Sequence, residues 1–105
     1  MSLADTAPVF AALGDETRLH LVARLGSGGP LSTARLTAGT RLTRQGVTRH
    51  LEVLADAGLA HSTRRGRERV WQLDRLPLDQ ARGYLDDLSH QWDAALARLK
   101  SAVEE

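Results

Sequence analysis

"LTRQGVTRHLEVLADAGL", residues 42–59, carries two superimposed patterns. Val47, Leu51 and Leu54 recur at intervals of four and three, the spacing of one helical face. Thr43 stands where an N-cap belongs, and Gly58 stands where a left-handed terminating residue is favoured. The polar residues are divided along the same helix: Arg44, Gln45, Thr48 and Arg49 come first, and Glu52 and Asp56 follow. With Val47 at the centre of the core face and about 100° per residue, Gln45, Thr48 and Arg49 point away from the core, with Arg44 on a flank. The two acids share that outer side, one and two turns further on. A helix that only covers a core needs no such division. A helix that enters a major groove by its N-terminus does, because its first turns meet the base edges and its later turns pass out beside the phosphates.

Outward from this segment, Ser32 can cap a brief helix reaching about Ala38, with Leu31 and Leu36 turned inward and Gly39 as its stop. Two short helices joined by a tight turn result. Beyond Gly58 the period becomes alternating: "LAHSTRRGRERVWQL", residues 59–73, reads as two strands about an arginine-rich turn, with Trp71 and Leu73 on one face. Strand alternation, carried through the tip, puts Arg65, Arg67 and Arg69 on one side and Arg64 on the other, where one arginine can pair with Glu68.

Near the start, a helix is expected over about residues 5–13, capped by Asp5 or Thr6, with Pro8 in its first turn. Gly14 breaks it, and Asp15 caps a second helix whose expected buried stripe is Leu19, Val22 and Leu25 with Ala23. "GSGGP", residues 26–30, reads as a loop. A long helix over about 79–103 closes the chain, with Leu85, Leu88, Trp92, Ala95, Leu99 and Ala102 spaced three or four apart. At about 25 residues it spans roughly 37 Å, more than a domain of this size can cover, so part of the stripe is expected to pack on a second copy. The expected fold is therefore a winged helix-turn-helix, mainly α with a small β-hairpin, in the order α-α-α-α-β-β-α, as a single domain over residues 1–105.

Composition agrees with a folded chain: of 105 residues, 42% are hydrophobic and 26% charged. No apolar run approaches the roughly 20 residues that span a bilayer, and residues 1–14 lack the basic start and apolar stretch of a signal peptide, so a cytoplasmic location is expected. The absence of cysteine removes disulfides and thiolate metal sites. The net charge of +1 conceals an uneven distribution: residues 35–69 hold eight arginines against three acidic residues, while the segments on either side are net acidic. The positive charge thus lies on the two elements that would face a polyanion. Thr43, Arg44, Gln45, Thr48, Arg49 and His50 are the candidate DNA contacts of the helix, and Arg64, Arg65, Arg67 and Arg69 those of the hairpin. Arg44 and Arg49 can each grip guanine or phosphate, Gln45 can read adenine, and Thr48 can meet a thymine methyl. No nucleophile with a neighbouring base, phosphate loop or metal constellation supports an enzyme.

"VFAALGDETRLHLVARL" (9–25), "LTRQGVTRHLEVLADAGL" (42–59) and "GRERVWQL" (66–73) together resemble the ArsR family of winged-helix transcriptional repressors, over nearly the whole chain. The resemblance implies that residues 43–57 are the DNA-recognition helix, that 60–73 are the wing, and that the first and last helices form a homodimer. Its interface would include Val9, Phe10, Leu85, Leu88, Trp92, Leu96 and Leu99. It implies double-stranded DNA with an inverted repeat as the partner. The chain departs from the family pattern in three places. Glu16 stands where a proline is common. Gly39 precedes Thr40 and Arg41, where the turn glycine usually falls two residues later, so a shorter third helix is expected. "LSTAR", residues 31–35, lacks the cysteine pair of metal-sensing members. A second type of family site uses ligands on the last helix. Asp87 and His90 have a suitable spacing, but Ser101 and Glu104 stand near the places of the missing histidines, so neither metal nor cofactor is expected. The competing reading is a winged-helix module whose arginines meet an acidic protein.

Overall fold

The computed structural model describes residues 3–104. Its elements are α1 (Leu3–Leu13), α2 (Glu16–Gly28), β1 (Leu31–Ser32), α3 (Thr33–Ala38), α4 (Arg44–Asp56), β2 (Ala60–Arg65), β3 (Glu68–Leu73) and α5 (Arg75–Glu104). The helices and the β2–β3 hairpin occur in the expected order. One element is additional: β1 pairs with β3, Leu31 opposite Trp71 and Ser32 opposite Val70, giving an antiparallel sheet of order β1-β3-β2. Two residues cannot display an alternation, so this strand has no signature of its own in the sequence.

The helix boundaries follow local chemistry. Asp15 caps α2 by accepting from Arg18 N at 3.0 Å, Ser32 caps α3 by accepting from Arg35 N at 3.1 Å, and Thr43 caps α4 by accepting from Gly46 N at 3.0 Å. At the end of α4, Gly58 takes φ +80°. Gly58 N donates to Ala55 O and Leu59 N to Leu54 O, each at 2.9 Å, which is the Schellman arrangement. The turn brings Leu59 directly into the core.

The core lies between α2, α3, α4 and the sheet. Leu21, Leu36, Val47, Leu51, Leu54, Leu59 and Trp71 are fully buried, and Val9, Ala12, Leu25, Ala60 and Ala81 nearly so. Three expectations need correction here. The stripe of α2 is Leu21 and Leu25 with Val22 at its edge; Leu19 is 51% exposed and Ala23 is exposed. Leu19 sits about 160° from Leu21 on the wheel; α2 is apolar on several sides, and only packing chooses among them. The first helix begins at Leu3, so Asp5 and Thr6 are not its cap and Pro8 lies inside it. Val9, expected at a dimer face, is buried within the chain's own core.

The last helix begins at Arg75 rather than near Asp79. Pro77 falls in its first turn, where the backbone N–H groups have no intrahelical partner, so the proline removes no bond. Its 30 residues extend roughly 45 Å. It is anchored near its start: Ala81 is buried, Leu78 packs against the core, and the Tyr84 ring meets that of Phe10 at 6.0 Å, tilted by 55°. From Leu85 onward it projects, giving the molecule extents of 69 × 27 × 22 Å.

Candidate nucleic-acid interface

Burying Val47, Leu51 and Leu54 turns the opposite side of α4 to solvent. Arg44, Gln45 and Arg49 are exposed there, and Thr48 is half-buried. The Thr48 hydroxyl donates back to Arg44 O at 2.9 Å, so its proton is committed, and its methyl group and the oxygen's acceptor capacity are what remain to offer a ligand. Thr43 Oγ1 is occupied as the cap. His50 departs from the outer set. Its Nδ1 lies 3.1 Å from Arg18 Nη1 and 3.8 Å from Asp15, on the side of α4 that faces α2.

Arg18 itself has a role that the sequence did not reveal. Its Nε donates to Ala12 O at 2.6 Å and its Nη2 to Ala11 O at 3.4 Å, so it closes the C-terminal carbonyls of α1 while touching α4 through His50. Arg24 does the same for α3, donating to Leu36 O at 3.0 Å and Arg35 O at 3.1 Å. Gly39 makes room for that arginine. Its φ is −85°, so it is not a left-handed stop, and a Cβ there would overlap the Arg24 guanidinium. The only advance signal for these two arginines is their place in a net-acidic segment, away from the basic cluster.

Asp15 has its carboxyl held below the usual aspartate range, chiefly by the hydrogen bond from Arg18 N, with the Arg18 charge adding to it.

The wing is a two-residue hairpin in which Arg65 pairs with Glu68 across Gly66 and Arg67. Gly66 has φ +61°, and no non-glycine residue has a positive φ among the described residues, which defines a type II′ turn. The register revises the expected faces. Arg64 lies directly opposite Arg69, so these two share the face that carries Trp71, while Arg65 shares the other face with Glu68 and Arg67 occupies the turn. Alternation fails at the tip because the turn residues belong to neither strand. Arg64, Arg65 and Arg67 are exposed. Arg69 is engaged: Nε donates to Ser62 Oγ at 2.9 Å, Nη1 to Glu52 Oε1 at 3.3 Å, and the guanidinium lies 4.2 Å from the centre of the Trp71 ring.

The arrangement thus offers a helix start bearing Arg44, Gln45, Thr48 and Arg49, and a wing bearing Arg64, Arg65 and Arg67; none of these arginines is in a salt bridge among the described residues. No group of three or more metal-ligating side chains occurs among the described residues, and Asp87 and His90 lie on the exposed part of α5. Among the described residues, no helix is long and apolar enough to cross a membrane.

These features define a winged helix-turn-helix protein with a cationic helix start and wing. Its relatives are named as helix-turn-helix transcriptional regulators. The helix-turn-helix domain family matches residues 13–65. The HTH-type transcriptional regulator Rv2034 of Mycobacterium tuberculosis is 39% identical, over 90% of this chain and 85% of its own length. YuzN of Bacillus subtilis, also named an HTH-type transcriptional regulator, is 38% identical over 67% of this chain and 83% of its own. The structure of an ArsR-like transcriptional regulator from Rhodococcus superposes with a TM-score of 0.80 at 33% identity, covering 93% of this chain and 92% of that one. The chain belongs to the ArsR family of helix-turn-helix transcriptional regulators, a DNA-binding and non-enzymatic family, and without cysteine it has no thiolate metal site.

Proposed function

We infer that the protein is a homodimeric, metal-independent repressor that binds an inverted-repeat operator through residues 43–57 and the wing, residues 60–73. The observation that carries the reading is the shared exposure of the first turns of α4 and the wing arginines, with Arg44, Arg49, Arg64, Arg65 and Arg67 in no salt bridge among the described residues. Leaving exposed guanidinium groups on the helix start and the wing without ion-pair partners is favourable where phosphate relieves their repulsion.

Dimerisation is supported by α5. Leu85, Leu88, Trp92, Leu96, Leu99 and Val103 are each 43–78% exposed in one chain. Their steps of three and four residues form one stripe that a second copy can bury. Phe10 and Tyr84 lie at its base. A two-fold pair of reading helices calls for half-sites about one helical turn of DNA apart, or a multiple of it. A small dimer seated on such a site acts by occluding it.

The test is binding of the purified protein to DNA from its own upstream region, titrated across salt with random DNA as competitor. Tight, salt-sensitive binding to one inverted repeat is expected. Equal, weak binding to all DNA would contradict the operator reading and move the arginines toward an acidic protein partner.

A further inference from the structure

Glu52 is the first acidic residue along α4, about 40° from Thr48 and 20° from Gln45 on the helical wheel and one to two turns beyond them. A carboxylate beside a surface built for a polyanion needs a reason. Its Oε1 accepts from Arg69 Nη1 at 3.3 Å, and Arg69 belongs to the wing. Arg69 is further held by Ser62 Oγ at 2.9 Å and by stacking on the fully buried Trp71. Groups from α4, β2 and β3 therefore converge on one guanidinium. Arg64, its directly opposed cross-strand neighbour, is exposed and in no salt bridge.

The side chains of Arg69 and Glu52 are 40% and 53% exposed, and an ion pair this open adds little to stability in solvent. Its consequence lies in the charge available to DNA, so the inference rests on the DNA-binding reading above. Each cation free to neutralise a phosphate raises affinity for any sequence, whereas base contacts raise it only for the operator. We propose that Glu52 is a positioning residue that withholds Arg69 from the DNA backbone and thereby sets the ratio of operator to random-DNA affinity. The stacking on Trp71 and the Ser62 bond keep Arg69 within reach of Glu52, and operator reading by Arg44, Gln45 and Thr48 proceeds without it.

The test compares the full chain with Glu52→Gln and with the double variant Glu52→Gln/Arg69→Gln. Binding to an upstream operator duplex and to a random duplex is measured from 50 to 200 mM salt. Because Glu52 is exposed, the single variant is expected to fold and suffices by itself. Glu52→Gln should tighten random-DNA binding and steepen the salt dependence by about 0.9 log unit per log unit of salt, roughly a further 3.5-fold loss over that range. The operator-to-random ratio should fall, and the double variant should return the slope to the wild-type value. A single variant with unchanged slope and ratio, whatever its melting temperature, would overturn the proposal. So would a steeper slope that persists in the double variant, which would assign the effect to lost repulsion alone. A loss confined to one operator base pair would instead make Glu52 a reader of a cytosine amino group. If the wild-type chain itself shows no salt-dependent binding, the DNA reading fails first, and this one with it.

Discussion

Trp71 Nε1 donates to Thr33 Oγ1 at 2.9 Å, joining β3 to α3 across 38 residues of sequence. The Thr33 hydroxyl in turn donates to Arg69 O at 3.3 Å, so the buried indole and a buried threonine satisfy each other at the root of the wing. Thr33→Val keeps the shape and removes the acceptor, leaving a buried N–H unpaired. A loss of about 1–3 kcal/mol is expected, seen as a lower urea midpoint with an unchanged slope. A neutral outcome would mean that water replaces the threonine.

The wing and the helix start should respond differently to truncation. Arg67→Ala, at the exposed tip, should weaken operator and random DNA alike and reduce the salt slope by about 0.9 for each phosphate it no longer neutralises. Arg44→Ala or Gln45→Ala should cost about 1–3 kcal/mol at particular base pairs, the worth of a bidentate hydrogen-bonded pair. Uniform weakening by either helix variant would contradict its assignment to base reading.

Trp92 is 67% exposed on α5 and remote from the chain's own core. Trp92→Glu should therefore leave the fold intact while placing a charge in the proposed dimer seam. Sedimentation should report a monomer, and binding to the full inverted repeat should fall far more than binding to an isolated half-site. A Trp92→Glu protein that remains dimeric would remove this stripe from the interface.

Acid should act through Asp15. Its carboxyl is held low by the capping bond from Arg18 N, so the folded state favours the charged form. A group whose pKa is depressed on folding contributes stability above its unfolded value, and that contribution is lost as pH falls through the folded one. Asp15→Asn keeps a cap acceptor without the charge. The melting temperature of this variant should fall less steeply with acid than that of the wild type; parallel curves would contradict the assignment.

Gly46 lies inside α4, where close packing of a neighbouring helix is the ordinary reason to accept glycine. The structure removes that reason: a Cβ there would meet only Thr43 Oγ1 at 3.4 Å and Leu42 Cβ at 3.7 Å, within the same cap. Gly46→Ala should stabilise the protein by about 0.5–1 kcal/mol through helix propensity. Thermal melting checks this, and a loss of stability would expose strain at the cap. Operator affinity that falls in the stabilised variant would identify close backbone approach to DNA as the reason for the glycine.

The α4 segment was legible almost to the residue, because Thr43, the Val47–Leu51–Leu54 spacing and Gly58 act on neighbours within one or two turns. The hairpin was legible as two strands about a glycine turn, and the long apolar stripe of α5 as a face too extended for one chain to bury. The candidate site was legible in part: Arg44, Gln45, Thr48 and Arg49 stand where the helical period puts them, while the wing arginines lie on other faces than strand alternation gave, because the turn interrupts it. His50, a candidate contact from the sequence, is the exception on α4, and its 300° offset from Val47 on the wheel, about 60° from the core centre, is the signal that sets it apart.

Local hydrogen bonding and periodicity need only a few adjacent residues, so the caps Asp15, Ser32 and Thr43, the span of α4 and the side of it turned outward follow from the chain alone, whereas the starts of α1 and α5 do not. Choices between equivalent local options do not. Whether Leu19 or Leu21 faces inward, whether Leu31 and Ser32 join a sheet, and which arginine is left free all depend on partners elsewhere in the chain. Arg18 is consumed by the end of α1 and by His50, Arg24 by the end of α3, and Arg69 by Glu52, Ser62 and Trp71. Their charge is identical in the sequence to that of Arg44 or Arg67. Only the packing of α1, α3, α4 and the sheet separates the arginines that hold the fold from those left exposed, because a guanidinium's role is set by the acceptors within its reach.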